Sequence, residues 1–405
     1  MTNGNHPSPA SAVTHDRLAD TAPRTHARRR PLRAVSRFLA DSLLVLPVGC
    51  AAAIAWANLE PESYFRFAQA IAFPVNEIGL VFFLGLVTKE IVESTLPGGA
   101  LHPWRRAALP CGAAIGGAVV PIALYLLVLK YLGEYMLEDA WVVTAAVDIA
   151  VCNLVGRSIF GRHPAMPFLL LLAIASNTIG LIALAVLNPI GPGHLALGLG
   201  LIALGIGLAF AFRTQRVRSF WPYVLGAGAL SWCGLFLGGL HPALALVPVI
   251  PFLPHAKRDV GLFVESPAPA HDALTEFERW WRVPVQGVLL LFGLANSGVP
   301  LHGHEAGLWA LPVAALVGRP IGVLLGTGLA VAAGLHRPNR VGWRELLVIG
   351  CISSVGLVMA LFFATAALPT GPLLLQTRLG ALVGVAGAAL AFAAARSLRV
   401  GRFGR

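Results

Sequence analysis

The stretch MPFLLLLAIASNTIGLIALAVL, residues 166–187, contains no charged side chain and decides the fold class. Its length matches the roughly 20 apolar residues that an α-helix needs to cross about 30 Å of hydrocarbon. Apolar residues occupy both odd and even positions, whereas a strand of a membrane barrel alternates apolar and polar side chains. The stretch therefore predicts a membrane-spanning helix.

Similar apolar runs recur along the whole chain. Of the 405 residues, 57% are hydrophobic and 12% are charged, and the mean hydropathy is +0.74. These values are too apolar for a water-soluble domain of this size. We therefore predict an all-α polytopic membrane protein with about twelve transmembrane helices. The predicted spans are 38–58, 67–88, 107–129, 140–160, 166–187, 194–212, 221–240, 242–254, 283–300, 306–333, 345–368 and 376–396.

The lysines and arginines predict the orientation of these spans. They concentrate in the N-terminal tail, in alternate loops and after the last span, while the opposite loops hold only Arg66, Lys130 and Arg378. Because positive residues remain on the cytoplasmic side, we expect a multi-pass inner-membrane protein with both termini in the cytoplasm. Topology thus explains the net charge of +11 without any nucleic-acid binding. The basic stretch 28–37 is expected to contact anionic membrane lipids.

Three regions are predicted from composition. Residues 1–36 are expected to form a disordered basic cytoplasmic tail, 37–400 the transmembrane transporter domain, and 255–282 a cytoplasmic loop between two halves. The five cysteines lie apart in apolar spans, so we expect neither disulfides nor a metal site. Glycine-rich stretches lack a P-loop lysine, so we expect no ATP-driven transport, no cofactor and no enzymatic activity.

Two charged side chains fall deep inside predicted spans, Asp148 and Arg319. An ionisable group at the centre of a membrane helix costs about 2.5–3.5 kcal/mol on insertion scales and marks a functional site by default. An unpaired group would cost more, so the sequence predicts an ion pair that lines a cavity. Asp148 then has two interpretations. It either only neutralises Arg319 or caps a broken helix, or it is the water-accessible carboxylate that binds a cation or a proton, which we favour.

The fourth and eleventh predicted spans are expected to be broken helices. The residues predicted at the breaks are Cys152, Asn153, Ser353, Ser354 and Gly356. Interruptions at matching places in two halves of a chain indicate a transporter's binding site, because exposed helix ends can bind ions in the middle of the membrane.

Six motifs then carry a family resemblance. They are FFLGLVTKE at 82–90, AAIGGAVVP at 113–121, AVDIA at 146–150, LANSGV at 294–299, GRPIG at 318–322 and VGLVM at 355–359. In these motifs and their order, the chain resembles the NhaA-type sodium/proton antiporters from about residue 38 to 396. The resemblance implies inverted structural repeats, discontinuous spans 4 and 11 that cross each other, and exchange of Na⁺ for H⁺.

The resemblance fails in the fifth span. The family carries two adjacent aspartates there, in IDDLG, which hold protons and the cation in turn, whereas this chain has Ser176, Asn177 and Thr178. Their neutral oxygens can help to bind a cation but cannot carry charge or a proton. The family's lysine in the tenth span is replaced by Arg319, which does not release its proton in a protein. Proton coupling is therefore expected at Asp148, with an altered stoichiometry.

Two smaller departures concern regulation and assembly. Val87 replaces a glutamate of the family's second-span motif, which affects the expected response to pH. The link from Glu60 to Arg66 is too short for the β-hairpin through which family members pair, so a homodimer is left open.

Three functions remain to be compared. The preferred hypothesis is a secondary active transporter that exchanges Na⁺ or another monovalent cation for H⁺. The first alternative is a carrier of an organic anion, which the charge of Arg319 would favour. The second is a non-transporting sensory relative, in which the lost aspartates reflect lost transport.

Overall fold

The structure, a computed structural model, describes residues 45–96, 104–161, 163–187, 194–255, 272–301, 306–338 and 340–404. Throughout these ranges the regular structure is helical and contains no strand. The predicted tail 1–36 and most of the predicted loop 255–282 lie outside the described residues. The all-α class is therefore confirmed for the part of the chain that the structure describes.

Thirteen α-helices are numbered here in chain order, within those described ranges. They are α1 (Val45–Leu59), α2 (Pro61–Thr95), α3 (Trp104–Leu132), α4 (Ile149–Phe160), α5 (Ala165–Leu187), α6 (Leu195–Thr214), α7 (Tyr223–Leu237), α8 (Ala273–Asn296), α9 (Gly307–Ala332), α10 (Trp343–Ser353), α11 (Leu357–Ala367), α12 (Pro372–Val383) and α13 (Ala386–Ser397). Longer 3₁₀ segments are Tyr135–Ala145 before α4 and Pro242–Leu246 after α7.

The described helices include fewer clear spans than the sequence predicts. Six are long and apolar enough to cross a membrane, and eight spans result if each of two bent pairs counts as one. The predicted span 242–254 consists of the short 3₁₀ helices Pro242–Leu246 and Ile250–Phe252. Prolines in this stretch remove backbone donors and prevent a continuous α-helix.

A single residue joins the first two helices. Leu59 ends α1 and Pro61 begins α2, with Glu60 between them. Proline is well suited to a first helical position, because its missing N–H would have no partner there. No room is left for a β-hairpin, as expected from the sequence.

Glycines bring α3 and α9 into direct backbone contact. A β-carbon at Gly116 would lie 2.3 Å from the Gly322 carbonyl oxygen, and one at Gly326 would lie 2.4 Å from the Gly112 oxygen. Small residues of this kind let membrane helices approach closely where lipid provides no hydrophobic driving force. The contact fixes Arg319, one turn before Gly322 on α9, beside the core of the molecule.

Among the described residues, three π-helical segments occur within these helices, at Pro74–Gly79, at Tyr223–Gly228 where α7 begins, and at Ala314–Gly318. Such segments re-aim the side chains around them and often occur at functional sites. The first carries Glu77, and the last ends immediately before Arg319.

Candidate ion-binding site at two broken helices

In the part of the chain that the structure describes, two pairs of helices are sharply bent at short breaks. The 3₁₀ helix Tyr135–Ala145 and α4 meet at 56° across residues 146–148, and α10 and α11 meet at 52° across residues 354–356. A break leaves backbone N–H and C=O groups without helical partners, so these groups must find other partners.

The two breaks bond to each other. The Asp148 N–H donates to the Val355 carbonyl oxygen at 2.8 Å. Next to this bond, Gly356 lies so close to Ala146 that an added β-carbon would be 2.6 Å from the Ala146 carbonyl oxygen. Only glycine permits this approach of one backbone to another. The two breaks therefore form one compact unit.

The Asp148 carboxylate caps two helices at once. Its Oδ1 accepts hydrogen bonds from the Ala150 and Val151 N–H groups of α4, at 3.1 and 3.2 Å. Its Oδ2 accepts from the Val358 N–H of α11 at 3.3 Å. The N-terminus of a helix carries a partial positive charge, which favours a carboxylate. One buried carboxyl group thus satisfies the first turns of two half-helices.

Arg319 lies on the other side of the same break, at the C-terminal end of the 3₁₀ helix Tyr135–Ala145. Its side chain is completely buried, and Nη2 donates to the Thr144 carbonyl oxygen near the C-terminus of the 3₁₀ helix. That end carries a partial negative charge, which favours a cation. Its Nε and Nη1 groups have no hydrogen-bond partner within the protein.

The predicted ion pair between Asp148 and Arg319 is wrong as a direct contact. No oxygen of Asp148 lies within 4.0 Å of a guanidinium nitrogen, whereas three contacts within this distance join Lys89 to glutamates elsewhere in the described residues. Each group is instead compensated by the backbone dipole of one of the two helix ends that face each other across the first break. The two side chains therefore bind the backbone on either side of the same short break, Arg319 at Thr144 and Asp148 at the start of α4.

Asn177 clamps this same segment from α5. Its Oδ1 accepts from the Val147 N–H at 3.0 Å, and its Nδ2 donates to the Val147 carbonyl oxygen at 2.8 Å. The Thr178 hydroxyl bonds to Ile174 in its own helix, and the buried Ser176 hydroxyl has no partner in the protein. The side chain in the family's aspartate position thus holds the backbone of the break.

The break in the fourth span lies earlier than predicted. Cys152 and Asn153 were expected at the break, but both lie inside α4, because Asp148 caps the helix and lets it start at Ile149. Of the residues predicted for the second break, Ser353 ends α10 and Gly356 immediately precedes α11. Ser354 lies between these helices, and its hydroxyl donates to the Cys351 carbonyl oxygen at 2.7 Å.

The unit contains polar atoms that the protein leaves unsatisfied. They are Arg319 Nε and Nη1, Asn153 Oδ1 and Ser176 Oγ. Buried polar groups are normally hydrogen-bonded, so water is the natural partner for the guanidinium N–H groups, whereas the two oxygens could contact water or a cation. Among the described residues there is no cluster of three metal-ligating side chains. The chemistry fits one small monovalent cation held by a single carboxylate and neutral oxygens.

A second, half-buried polar cluster was missed by the sequence analysis. Arg378, predicted in an outer loop, lies within α12 and donates from Nη2 to Asn296 Oδ1 at 2.6 Å. Asn296 in turn donates from Nδ2 to Asn76 Oδ1 at 2.8 Å. The sequence did contain a signal that Arg378 lies within a helix rather than a loop, because the predicted span 376–396 includes this residue.

Replacing Asn177 by alanine is expected to lower the melting temperature in detergent. The change leaves the Val147 N–H and C=O groups buried without partners, at a cost of about 1–3 kcal/mol for each group. Thr178→Val is the matched control, since that hydroxyl bonds only within its own helix. Equal melting temperatures for the two variants would show that the bonds from Asn177 to Val147 do not stabilise the break.

Comparison with known proteins identifies the family. The family model for Na⁺/H⁺ antiporter 1 matches residues 40–395. A protein of Geobacter metallireducens named Na⁺/H⁺ antiporter NhaA is 40% identical over 385 residues, covering 92% of this chain and 99% of that protein. A Desulfitobacterium hafniense protein of the same name is 39% identical, covering 90% of this chain and 96% of that protein. The chain belongs to the Na⁺/H⁺ antiporter 1 family.

Proposed function

We propose that the chain is a secondary active transporter that exchanges sodium ions for protons across the inner membrane. The observation that carries this proposal is the single buried carboxylate of Asp148 at the N-termini of two half-helices. Family membership supports the identity of the two exchanged ions. The names of the relatives do not favour the alternatives of an organic-anion carrier or a sensory protein.

Asp148 would hold either a proton or a sodium ion, but not both. A sodium ion needs several oxygen ligands, which the carboxylate can share with carbonyl oxygens of the two breaks, with water and with the hydroxyls of Ser176 and Thr178. Protonation removes the negative charge and with it the main attraction for sodium. Competition for one carboxylate is thus sufficient to couple the two ions, provided the site faces each side of the membrane in turn.

We further propose the complete architecture that the family resemblance implies. About twelve spans, both termini in the cytoplasm, a basic tail at 1–36 and a cytoplasmic loop at 255–282 would complete the transporter domain 37–400. The chain order supports inverted repeats. In each half a long glycine-containing helix, α3 or α9, precedes a broken pair, which precedes a further apolar helix, α5 or α12. The broken pairs would then cross near the middle of the membrane.

The number of protons exchanged for each cation at the two breaks would differ from that of an antiporter with paired aspartates. Asn177 and Thr178 occupy the positions of the pair, and Asn177 already bonds to Val147 through both polar atoms. Neither side chain can take up a proton in exchange for sodium. Asp148, the proton-binding group at the two breaks, would therefore release one proton for each cation that binds.

The test uses the purified chain in liposomes that contain a pH-sensitive dye. When sodium chloride is added outside, sodium should enter and protons leave, so the lumen should become more alkaline. Lithium and potassium chloride added in parallel define ion selectivity, and choline chloride controls for osmotic effects. A response to all of these cations no larger than that of protein-free liposomes would contradict the proposal.

A further inference from the structure

The helix α13 runs from the second break to the far end of α4. At its start, a β-carbon added to Gly387 would overlap the Ser354 hydroxyl oxygen and would lie 3.1 Å from the side chain of Val355. Val355 supplies the carbonyl oxygen that accepts from the Asp148 N–H. α13 therefore begins in direct contact with the residues that join the two breaks.

The middle of α13 packs against one half-helix from each broken pair. Ala391 and Ala395 of α13 are completely buried. They belong to the same apolar cluster as Ile352 of α10 and Ile159 of α4. Small side chains of this kind let membrane helices approach closely. α13 thus contacts both α10 and α4.

α13 ends in a turn with an unfavourable backbone conformation. The Arg399 N–H donates to the Arg396 carbonyl oxygen at 3.4 Å, and the Val400 N–H donates to that of Ala395 at 2.9 Å. These two bonds form a Schellman motif, in which glycine usually occupies the position of Arg399. Arg399 has a φ of +54°, which residues other than glycine rarely adopt. Strain of this kind persists only where the surrounding contacts impose it.

The residues after this turn lie on the last turn of α4. Val400 is 2% exposed and packs in the apolar cluster that contains Ile159. A β-carbon added to Gly401 would overlap the Ile159 carbonyl oxygen and would lie 3.0 Å from its carbonyl carbon. Arg402 lies beside Gly161, with Nε 3.6 Å from the position of an added β-carbon. Gly161 caps the C-terminus of α4, where the partial negative charge favours a guanidinium group.

Residues 386–404, named the brace here, complete a closed set of contacts around α4. The N-terminus of α4 is held by Asp148, which bonds to the second break, and its C-terminus is held by the brace, which starts at that same break. About 16 Å of helix separates Asp148 from Ile159 along the axis. A short helix moves as a rigid element, so a shift at Ile159 also displaces Asp148.

We infer that the brace positions Asp148 for sodium binding by fixing α4 against the second break. The inference rests on the proposed sodium/proton exchange and extends it. Sodium needs the carboxylate and neutral oxygens together, so it binds when these groups are aligned. Once the brace is released, α4 spends part of the time out of this arrangement. The apparent dissociation constant for sodium then rises in inverse proportion to the aligned fraction. Arg399, Val400 and Gly401 are thus positioning residues that act through α4.

Two substitutions release the brace in different ways. In Gly401→Ala the new β-carbon overlaps the Ile159 carbonyl oxygen, and alanine is strained at the φ of +63°. In Arg399→Val a β-branched side chain must adopt a left-handed conformation, while nothing is added at the contact with α4. Titration calorimetry should show a sodium dissociation constant at least about threefold higher for both variants, which corresponds to an aligned fraction of about one third. In liposomes the half-saturating sodium concentration should rise, while the maximal rate is retained.

Arg216→Val is the matched control. Arg216, with a φ of +57°, has the same place in a Schellman motif after α6, where the Val217 N–H donates to the Phe212 carbonyl oxygen at 3.0 Å. α6 packs mainly against α7. The control loses the same charge and gains the same strain, so its melting temperature should fall while its sodium affinity stays at the wild-type value. Arg399→Gly loses the charge without strain and should also bind sodium as wild type does.

Wild-type sodium affinity in Arg399→Val or in Gly401→Ala would overturn the inference, because the brace would then contribute to stability alone. An equal loss of affinity in Arg216→Val would also overturn it, since the loss would follow from strain anywhere in the chain. Arg399→Val decides the matter if Gly401→Ala does not fold. If the wild-type protein binds no sodium, the proposed exchange itself fails, which is a different outcome.

Discussion

Asp148→Asn is expected to reduce sodium-driven proton movement in liposomes to the level of protein-free vesicles. The amide oxygen can still accept from the N–H groups of Ala150 and Val151, so the cap of α4 is retained. What is lost is the charge that attracts sodium and the group that takes up a proton. Transport should therefore disappear. The melting temperature should also fall, because the amide NH₂ group that replaces Oδ2 cannot accept from the Val358 N–H and leaves it without a partner, at a cost of about 1–3 kcal/mol.

Glu138→Gln provides the matched control for this variant. Glu138 is an exposed acid on the 3₁₀ helix that leads to the same break, so its removal changes the net charge equally. Its transport rate should match that of wild type. Sodium-driven alkalinisation by Asp148→Asn at the wild-type rate would remove Asp148 from the mechanism.

Gly356→Ala is expected to destabilise the protein strongly and to abolish transport. The new β-carbon would lie 2.6 Å from the carbonyl oxygen and 3.0 Å from the carbonyl carbon of Ala146. Backbone atoms of the other break cannot rotate away as the end of a side chain can, so the two breaks must separate. Overpacking typically costs about 1–3 kcal/mol, and here the bond from Asp148 to Val355 would be strained as well.

Gly200→Ala controls for the loss of a glycine within the membrane. A β-carbon at Gly200 meets no atom within 4 Å, and alanine favours the helix over glycine. Its melting temperature should equal or exceed that of wild type. If thermal unfolding of purified Gly356→Ala matched that of Gly200→Ala, the close contact between the breaks would be disproved.

The sequence predicted the broken helices better than the positions of their ends. Asp148 was recognised as a buried charge, and Gly356 as a helix interruption. Cys152 and Asn153 were wrongly predicted at the first break because they are weak helix formers. An aspartate followed by an apolar run is also an N-cap signal, and giving this signal more weight would have moved the break to residues 146–148.

The predicted contact between Asp148 and Arg319 failed for a physical reason. Pairing two isolated charges is the expected solution when side chains are the only partners considered. Here the ends of half-helices supply partial charges of the required sign, and backbone groups satisfy each side chain separately. Sequence alone could not provide this solution, because the Val358 N–H reaches Asp148 only through the packing of α11 against the first break.

Glu77 and His241 show a related limit. Glu77 and His241 lie in different parts of the chain, and no sequence motif links the two. Only the packing of the first π-helical segment against the 3₁₀ helix Pro242–Leu246 brings them together. The isolated histidine within the apolar stretch 235–250 was the one available signal.

Sodium affinity as a function of pH tests most directly whether Asp148 alternates between a proton and a cation. The dissociation constant of purified wild-type protein for sodium, measured by titration calorimetry, should increase as the pH falls, because protons then occupy the carboxylate. Where the site is mostly protonated, the increase should be about tenfold per pH unit for each proton displaced. A dissociation constant independent of pH, or wild-type sodium affinity in Asp148→Asn, would contradict the mechanism.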